Sequence, residues 1–275
     1  MRVCVVLRIV SRLGRNRMAS AQWLRPLAAC ICLLLLLCST TIPHAVADDT
    51  EPAEPASDDA APVIPSGESW IGAEATANVW SIYSGLTWAP LGAIGEDGWR
   101  VRLVGGYGQY RYKATIDGAR TKVLGQVSFG DLLAGYHASF GPLTLKMFAG
   151  VSYDGHMLTP FDPGNAVADL MIGGKGVIEA WYNLSAADWA ALDLSYSTAH
   201  SSYSSRLRLG RRLVDDLSVG VEAGAYGNDA SNNGRAGGFV RYAWSGGEVS
   251  ASGGVSGDIA KPSTPYATVV YLSRF

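Results

Sequence analysis

A closed, antiparallel, up-and-down β-barrel of the outer-membrane type, with about twelve strands, is the fold this 275-residue sequence predicts, and three observations carry the prediction. An export leader opens the chain. From Ser69 to Phe275 apolar residues alternate with period two, and no stretch keeps a 3.6-residue apolar period. Large aromatics gather at the ends of the alternating segments, and a phenylalanine closes the last of them.

Residues 1–47 read as a secretory signal peptide. They carry six arginines (Arg2, Arg8, Arg12, Arg15, Arg17, Arg25) and no acid, then the apolar run from Leu27 to Cys38, then the small-x-small site Ala45-Val46-Ala47. The apolar run is too short to span a bilayer as a helix, so the mature chain is expected to begin at Asp48. All four cysteines (Cys4, Cys30, Cys32, Cys38) fall in this leader, which would leave the mature chain without disulfides or thiolate ligands. Leu27-Ala28-Ala29-Cys30 has the form of a lipoprotein box but precedes the apolar core that such a box should follow. Loss of the leader moves the net charge from −2 to −8, and seven acids with no base lie between Asp48 and Glu68. That tract, 48–68, is rich in Pro, Ala and acid and has no periodicity. It is expected to be a disordered periplasmic spacer. The remainder is near neutral and offers no surface for nucleic acid.

The barrel proper is expected over 69–275, with strands at 70–77, 79–90, 98–113, 121–140, 142–155, 168–185, 189–200, 203–213, 217–228, 235–245, 247–258 and 265–275. If 70–90 were one long bent strand, and not two, the barrel would have ten. Twelve and ten are both even, as a bacterial single-chain barrel requires. Several segments divide cleanly into two faces. In 217–225, Leu217, Val219, Val221, Ala223 and Ala225 oppose Ser218, Gly220, Glu222 and Gly224. In 203–212, Tyr203, Leu207 and Leu209 oppose Ser204, Arg206, Arg208 and Gly210, and in 99–108, Trp99, Val101, Leu103 and Tyr107 oppose Arg100, Arg102, Gly106 and Gly108. A soluble sandwich alternates in the same way, because one face of each of its sheets is also wet.

Three features favour the membrane. Connections after even strands are mostly short (Gly141, Ser185 to Asp188, Val214 to Asp216, Gly246), whereas those after odd strands include the longer Gly155 to Val167 and Asn228 to Gly234. Short periplasmic turns and longer outer loops mark outer-membrane barrels, although Leu91 to Asp97 is longer than that pattern expects. Outward aromatics form two rims, Trp88, Trp99, Phe140, Tyr182 and Trp244 at the periplasmic end and Tyr107, Tyr153, Tyr196 and Tyr203 at the outer end. Finally, Phe275 shares a face with Ala267, Val269 and Tyr271, the form of a substrate for barrel-assembly machinery. Immersion in outer-membrane lipid also demands closure, because a free sheet edge in hydrocarbon leaves backbone groups unpaired at several kcal/mol each.

With the apolar face outward, the charges fall inside. Arg100, Arg102, Lys146, Lys175, Arg206, Arg208 and Arg241 face Asp131, Glu179, Asp193, Glu222 and Glu248, a mixed-sign lumen that predicts ion pairs, or a polar pathway for a solute. A twelve-stranded interior is wider than side chains fill in the eight-stranded case, so some water-filled space is expected. Tyr83, Tyr110, Tyr112, Trp181, Trp189 and Phe239 also face inward, where they could stack on sugar rings or simply pack the lumen. His200 and Ser202 have the spacing of a histidine-activated serine of the kind used by lipid A deacylases, but they sit in a serine-rich outer loop where chance produces such spacings. His137 and His156 lack metal-ligand spacing, Asp215-Asp216 reads as a turn, and Gly105-Gly106-Tyr107-Gly108 precedes no helix. Neither a metal nor a cofactor is expected.

A family resemblance covers nearly all of the stretch from Ser69 to Phe275. Gly98-Trp99-Arg100-Val101-Arg102, Gly105-Gly106-Tyr107-Gly108-Gln109-Tyr110-Arg111-Tyr112, Gly141-Pro142-Leu143-Thr144-Leu145-Lys146 and Phe148-Ala149-Gly150 carry part of it. Gly176-Val177-Ile178-Glu179-Ala180-Trp181-Tyr182-Asn183, Leu192-Asp193-Leu194-Ser195-Tyr196 and the segment from Gly246 to Gly257 carry the rest. Together they resemble the cellulose biosynthesis protein BcsS family. The resemblance implies a non-enzymatic accessory protein of bacterial cellulose production at the outer membrane, with a glucan chain and components of the cellulose synthase complex as partners. It supplies no catalytic residues. The alternatives are a small-solute porin and a lipid A-modifying hydrolase using His200 and Ser202.

Overall fold

The computed structural model describes residues 64–259 and 264–275. The leader and most of the acidic tract lie outside the described residues. Twelve strands follow one another: β1 (Gly67–Thr76), β2 (Val79–Trp88), β3 (Gly98–Ile116), β4 (Ala119–Phe140), β5 (Leu143–Thr159), β6 (Leu170–Asn183), β7 (Asp188–Ser197), β8 (Tyr203–Val214), β9 (Leu217–Asn228), β10 (Ser231–Trp244), β11 (Gly247–Asp258) and β12 (Thr264–Arg274). Each pairs antiparallel with its neighbours in sequence, and β12 pairs with β1 to close the barrel. The seam is held to its end, where Gly67 and Phe275 exchange both backbone hydrogen bonds at 2.9 and 3.0 Å. The ten-strand alternative fails at Ala77-Asn78, a turn in which the Thr76 hydroxyl accepts from the backbone N–H groups of Asn78 and Val79.

Closure and the exterior together exclude a soluble sandwich. Ile82, Leu103, Leu132, Val151, Ile172 and Val221 are each 47 to 71 % exposed, and they belong to a continuous outward apolar band. Such a band far exceeds the patches a water-soluble monomer tolerates, whereas in lipid it is solvated. The rim aromatics flank it. Trp88, Trp99, Phe140 and Tyr182 are exposed at one end and Tyr153 and Tyr196 at the other, with Trp99 set edge-on to Tyr136 at 5.5 Å.

Two expectations need correction. Strand β1 begins at Gly67, so Glu68, assigned above to the spacer, lies in the wall with its side chain in the lumen, where Lys146 meets it. The outer connections are also shorter than expected. β3 and β4 continue to a two-residue turn at Asp117-Gly118, both with positive φ (50° and 76°), which is the type I′ geometry that an Asp-Gly pair favours. β10 starts at Ser231, which leaves Asp229-Ala230 as its turn with β9. The cause is the same in both places. Strand pairing needs only backbone groups, so a ladder continues into water after the apolar alternation that marks the membrane has stopped.

Candidate functional site

Period two sends every second side chain into the lumen, and the registers decide which of them meet. All twelve residues of the expected polar ladder face inward. At the periplasmic half, both guanidinium nitrogens Nη1 and Nη2 of Arg102 donate to the Glu179 carboxylate on the far side of β4 and β5, and its Nε donates to the Thr87 hydroxyl at 3.0 Å. The same guanidinium lies 3.8 Å from the centre of the Phe148 ring and 5.2 Å from that of Trp70. Lys146 reaches Glu68 across the lumen at 3.3 Å, and Arg241 pairs with Glu248 at 2.5 Å while resting over Trp181 and Trp189. Further out, Lys175 meets Asp131 at 2.6 Å, Arg206 meets Asp193 at 2.7 Å and Arg208 meets Glu222 at 2.9 Å. Tyr266 donates to Glu222 at 2.8 Å from three strands away, and Arg235 bridges from β10 to Glu74 on β1 at 2.8 Å.

Arg100 departs from the ladder. Among the described residues it has no ion-pair partner. Its Nη2 instead donates to the backbone carbonyls of Ala93, Ile94 and Glu96 and approaches His137 Nδ1 at 3.2 Å, so it holds the 89–97 connection against the periplasmic mouth. Sequence reading also missed three participants. Glu68 was lost to the spacer. Glu74 shares a parity with Trp70, and Arg235 opens the expected tenth strand, so alternation alone could have put both inside.

The expected sugar-stacking rings are inside too, and two of them, Trp189 and Phe239, are covered by the wall, while Tyr83, Tyr110, Tyr112 and Trp181 are half-buried. Trp189 is 1 % exposed and stacks on Trp181 at 4.1 Å and 20°, and Phe239 is 4 % exposed with Arg208 on its face. Each lies over a glycine of the adjoining strand. A Cβ on Gly210 would stand 2.3 Å from the Trp189 ring, and one on Gly220 would stand 2.7 Å from Phe239. Trp189 and Phe239 therefore have no free face for a sugar. Tyr83 lies over Gly72 and Tyr110 over Gly125 in the same manner, and Tyr110 stacks on Tyr112 at 6.0 Å.

The outer mouth is roofed by residues 160–169 and by the turn between β7 and β8. Tyr112 donates to Asp162 at 2.8 Å and accepts from Asn165 at 2.8 Å, while Val167 is buried. His200 sits in the β7–β8 turn with positive φ and is buried, its Nε2 3.2 Å from the Asp169 carbonyl. The Ser202 hydroxyl donates to the Ala199 carbonyl at 2.9 Å. The Ser202 hydroxyl thus serves the backbone of its own turn and His200 that of the 160–169 connection, and no hydrogen bond joins the two side chains as a nucleophile–base pair would require. His156, on β5, accepts or donates at Tyr110 Oη (2.9 Å), lies 3.2 Å from Asp154 and meets His200 edge-on at 5.5 Å. Among the described residues no group of three or more His, Cys, Asp or Glu is arranged to hold a metal.

Between roof and ladder lies a polar cavity of about 210 Å³, lined by Asp131, Ser152, Asp154, Lys175, Ser195 and Ser197 among others. At ~30 Å³ per water it has room for about seven. Below it side chains three or four strands apart meet.

A family model described as cellulose biosynthesis protein BcsS matches residues 69–275. No curated protein matches the chain. Among solved structures, the KdgM porin aligns at 8 % identity over 76 % of this chain and 99 % of its own, with a TM-score of 0.42. The transport unit of the autotransporter AIDA-I from Escherichia coli aligns at 8 % identity over 76 % and 89 %, with a TM-score of 0.48. A Pseudomonas aeruginosa FadL homologue aligns at 7 % identity over 72 % and 67 %, with a TM-score of 0.35.

Proposed function

Because the chain belongs to the cellulose biosynthesis protein BcsS family, we propose that it serves cellulose production as a non-catalytic outer-membrane barrel that anchors the polymer or assists its export, acting through its two rims and not through its lumen. The observation that supports the rims over the lumen is the set of contacts between non-adjacent strands. Arg102 to Glu179, Lys146 to Glu68, Arg235 to Glu74 and Tyr266 to Glu222 each join strands three or four places apart in the closed wall. A glucan chain threading the barrel would have to displace these buried and part-buried contacts, three of which are ion pairs. The glucan or a component of the synthase complex is accordingly a partner of the outer loops or of the periplasmic mouth.

Deleting the protein and following both the cellulose made and the cellulose released tests this reading. It predicts that synthesis continues while the distribution of polymer between cell surface and medium changes by at least twofold. Unchanged amounts in both fractions would overturn it. Planar-bilayer recording separates the porin alternative, since an anchor shows no steady conductance and no block by glucan oligomers.

A further inference from the structure

The ribbon in which β3 and β4 run on beyond their outer neighbours carries four cations on one face. β2 ends its pairing at Tyr110 and β5 ends its pairing at Leu124, so residues 111–123 stand above the wall as a two-stranded hairpin. Parity puts Arg111 and Lys113 of β3 and Arg120 and Lys122 of β4 on the outward face, where all four are exposed. Lys113 stands directly opposite Lys122. None of the four has an ion-pair partner among the described residues, whereas most lumen cations do.

The inward face of the same hairpin is fastened. Val123 is fully buried, and Tyr112 is held by Asp162 and Asn165 of the roof, so the outward face is presented by an ordered element. Edge protection asks only for charge. Opposed lysines are the costliest way to provide it, because like charges directly across a strand pair repel. A single sign, repeated on both strands, calls for an anion.

Height identifies which anion. Down the same outward face the order is basic residues, then Gln109 opposite Gln126, then Tyr107, whose hydroxyl donates to Gln126 at 3.1 Å and whose ring meets Trp80 at 5.8 Å, then Leu103 opposite Leu132. Tyr107 and Trp80 therefore mark the outer interface. Arg111 lies four residues above Tyr107, about 14 Å along the strand and about 10 Å in height at the tilt of a typical barrel. That is the level of headgroup phosphates. We propose that the outward face of this hairpin binds the phosphates of the phosphorylated glycolipid of the outer leaflet. The inference rests on the outer-membrane placement given above and is independent of the role in cellulose.

The test uses the full chain isolated from membranes and returned to phosphatidylcholine vesicles containing either diphosphoryl lipid A or the same lipid with its phosphates removed. Lipid retained on the protein after detergent extraction is measured by mass spectrometry, and heat-modifiable gel migration reports the folded barrel in every sample. At roughly fivefold per cation near an anionic surface, the unaltered protein is expected to retain at least tenfold more of the phosphorylated form. R111Q/K113Q/R120Q/K122Q should retain both forms at the lower level while remaining heat-modifiable. R211Q, at the opposite rim, should match the unaltered protein. Equal retention of the two lipids by the unaltered protein overturns the proposal without any variant, as does a folded quadruple variant that still discriminates. Displacement of diphosphoryl lipid A by an equal charge of polygalacturonate would also overturn it and assign the patch to an acidic polymer. A protein that fails to enter vesicles would defeat the outer-membrane placement itself, an outcome distinct from failed discrimination by an inserted barrel.

Discussion

Glu222 shows how individual residues hold this lumen. It is 3 % exposed, accepts from Arg208 and Tyr266, and lies 3.9 Å from Arg235. Substitution Glu222→Gln leaves the Arg208 guanidinium without its counter-charge in a desolvated site, while Arg235 keeps Glu74, and is expected to destabilise the barrel by about 3–5 kcal/mol, read as the urea midpoint of tryptophan fluorescence in micelles. Replacing Arg208 and Glu222 together by methionine should cost much less than that, because the desolvation of both charges disappears with them. The ring-over-glycine contacts make a second prediction. Gly210→Ala drives a methyl into the Trp189 ring and should cost about 1–3 kcal/mol, while Trp189→Ala should cost about 3–5 kcal/mol in the same assay. At this scale the sequence revealed the face of each residue and little more. Trp189 and Phe239 were legible as inward rings, but the glycine beneath each belongs to a neighbouring strand, and only the register names it.

Strands were the most legible elements, because alternation is imposed residue by residue by lipid on one side and lumen on the other. Their ends were less so. Hydropathy reports where the membrane stops, and β3, β4 and β10 continue as polar ladders beyond that point. The Asp117-Gly118 turn depends on the positive φ of Gly118. Gly118→Val should weaken the hairpin by about 1–2 kcal/mol, visible as faster amide exchange over 111–123 with the barrel core unaffected. The long 89–97 connection looked like an exception to the short-turn rule, and Arg100 explains it. A turn that supplies three carbonyls to one guanidinium is a fitted piece of the periplasmic mouth. Arg100→Ala is expected to make this connection at least tenfold more sensitive to limited proteolysis from the periplasmic side while heat-modifiable migration is retained. Nothing in the sequence distinguished Arg100 from Arg102, two residues on, because both have the same parity and charge.

As a whole molecule the barrel is closed at its seam, bridged by side-chain contacts across its lower half and roofed at its outer end, with a small polar cavity between. This arrangement predicts electrical silence. The protein should give no steady conductance steps in a planar bilayer, and loss of both Trp189 and Phe239 to alanine should make openings appear if their packing is part of the seal. The sequence by itself determined the all-β barrel class, the lipid-facing and lumen-facing sets and the aromatic rims, because each is a short-range periodic property that every segment must satisfy on its own, while the choice of twelve strands over ten waited on the turn at Ala77-Asn78. Tertiary structure alone decided that Arg102 crosses to Glu179, that Arg235 crosses to Glu74, that Arg100 binds the 89–97 connection and not an acid, and that His200 and Ser202 stay apart. Those outcomes depend on the registers of all twelve pairings accumulated around a closed sheet, which bring together residues far apart in the chain, and no local pattern records that sum.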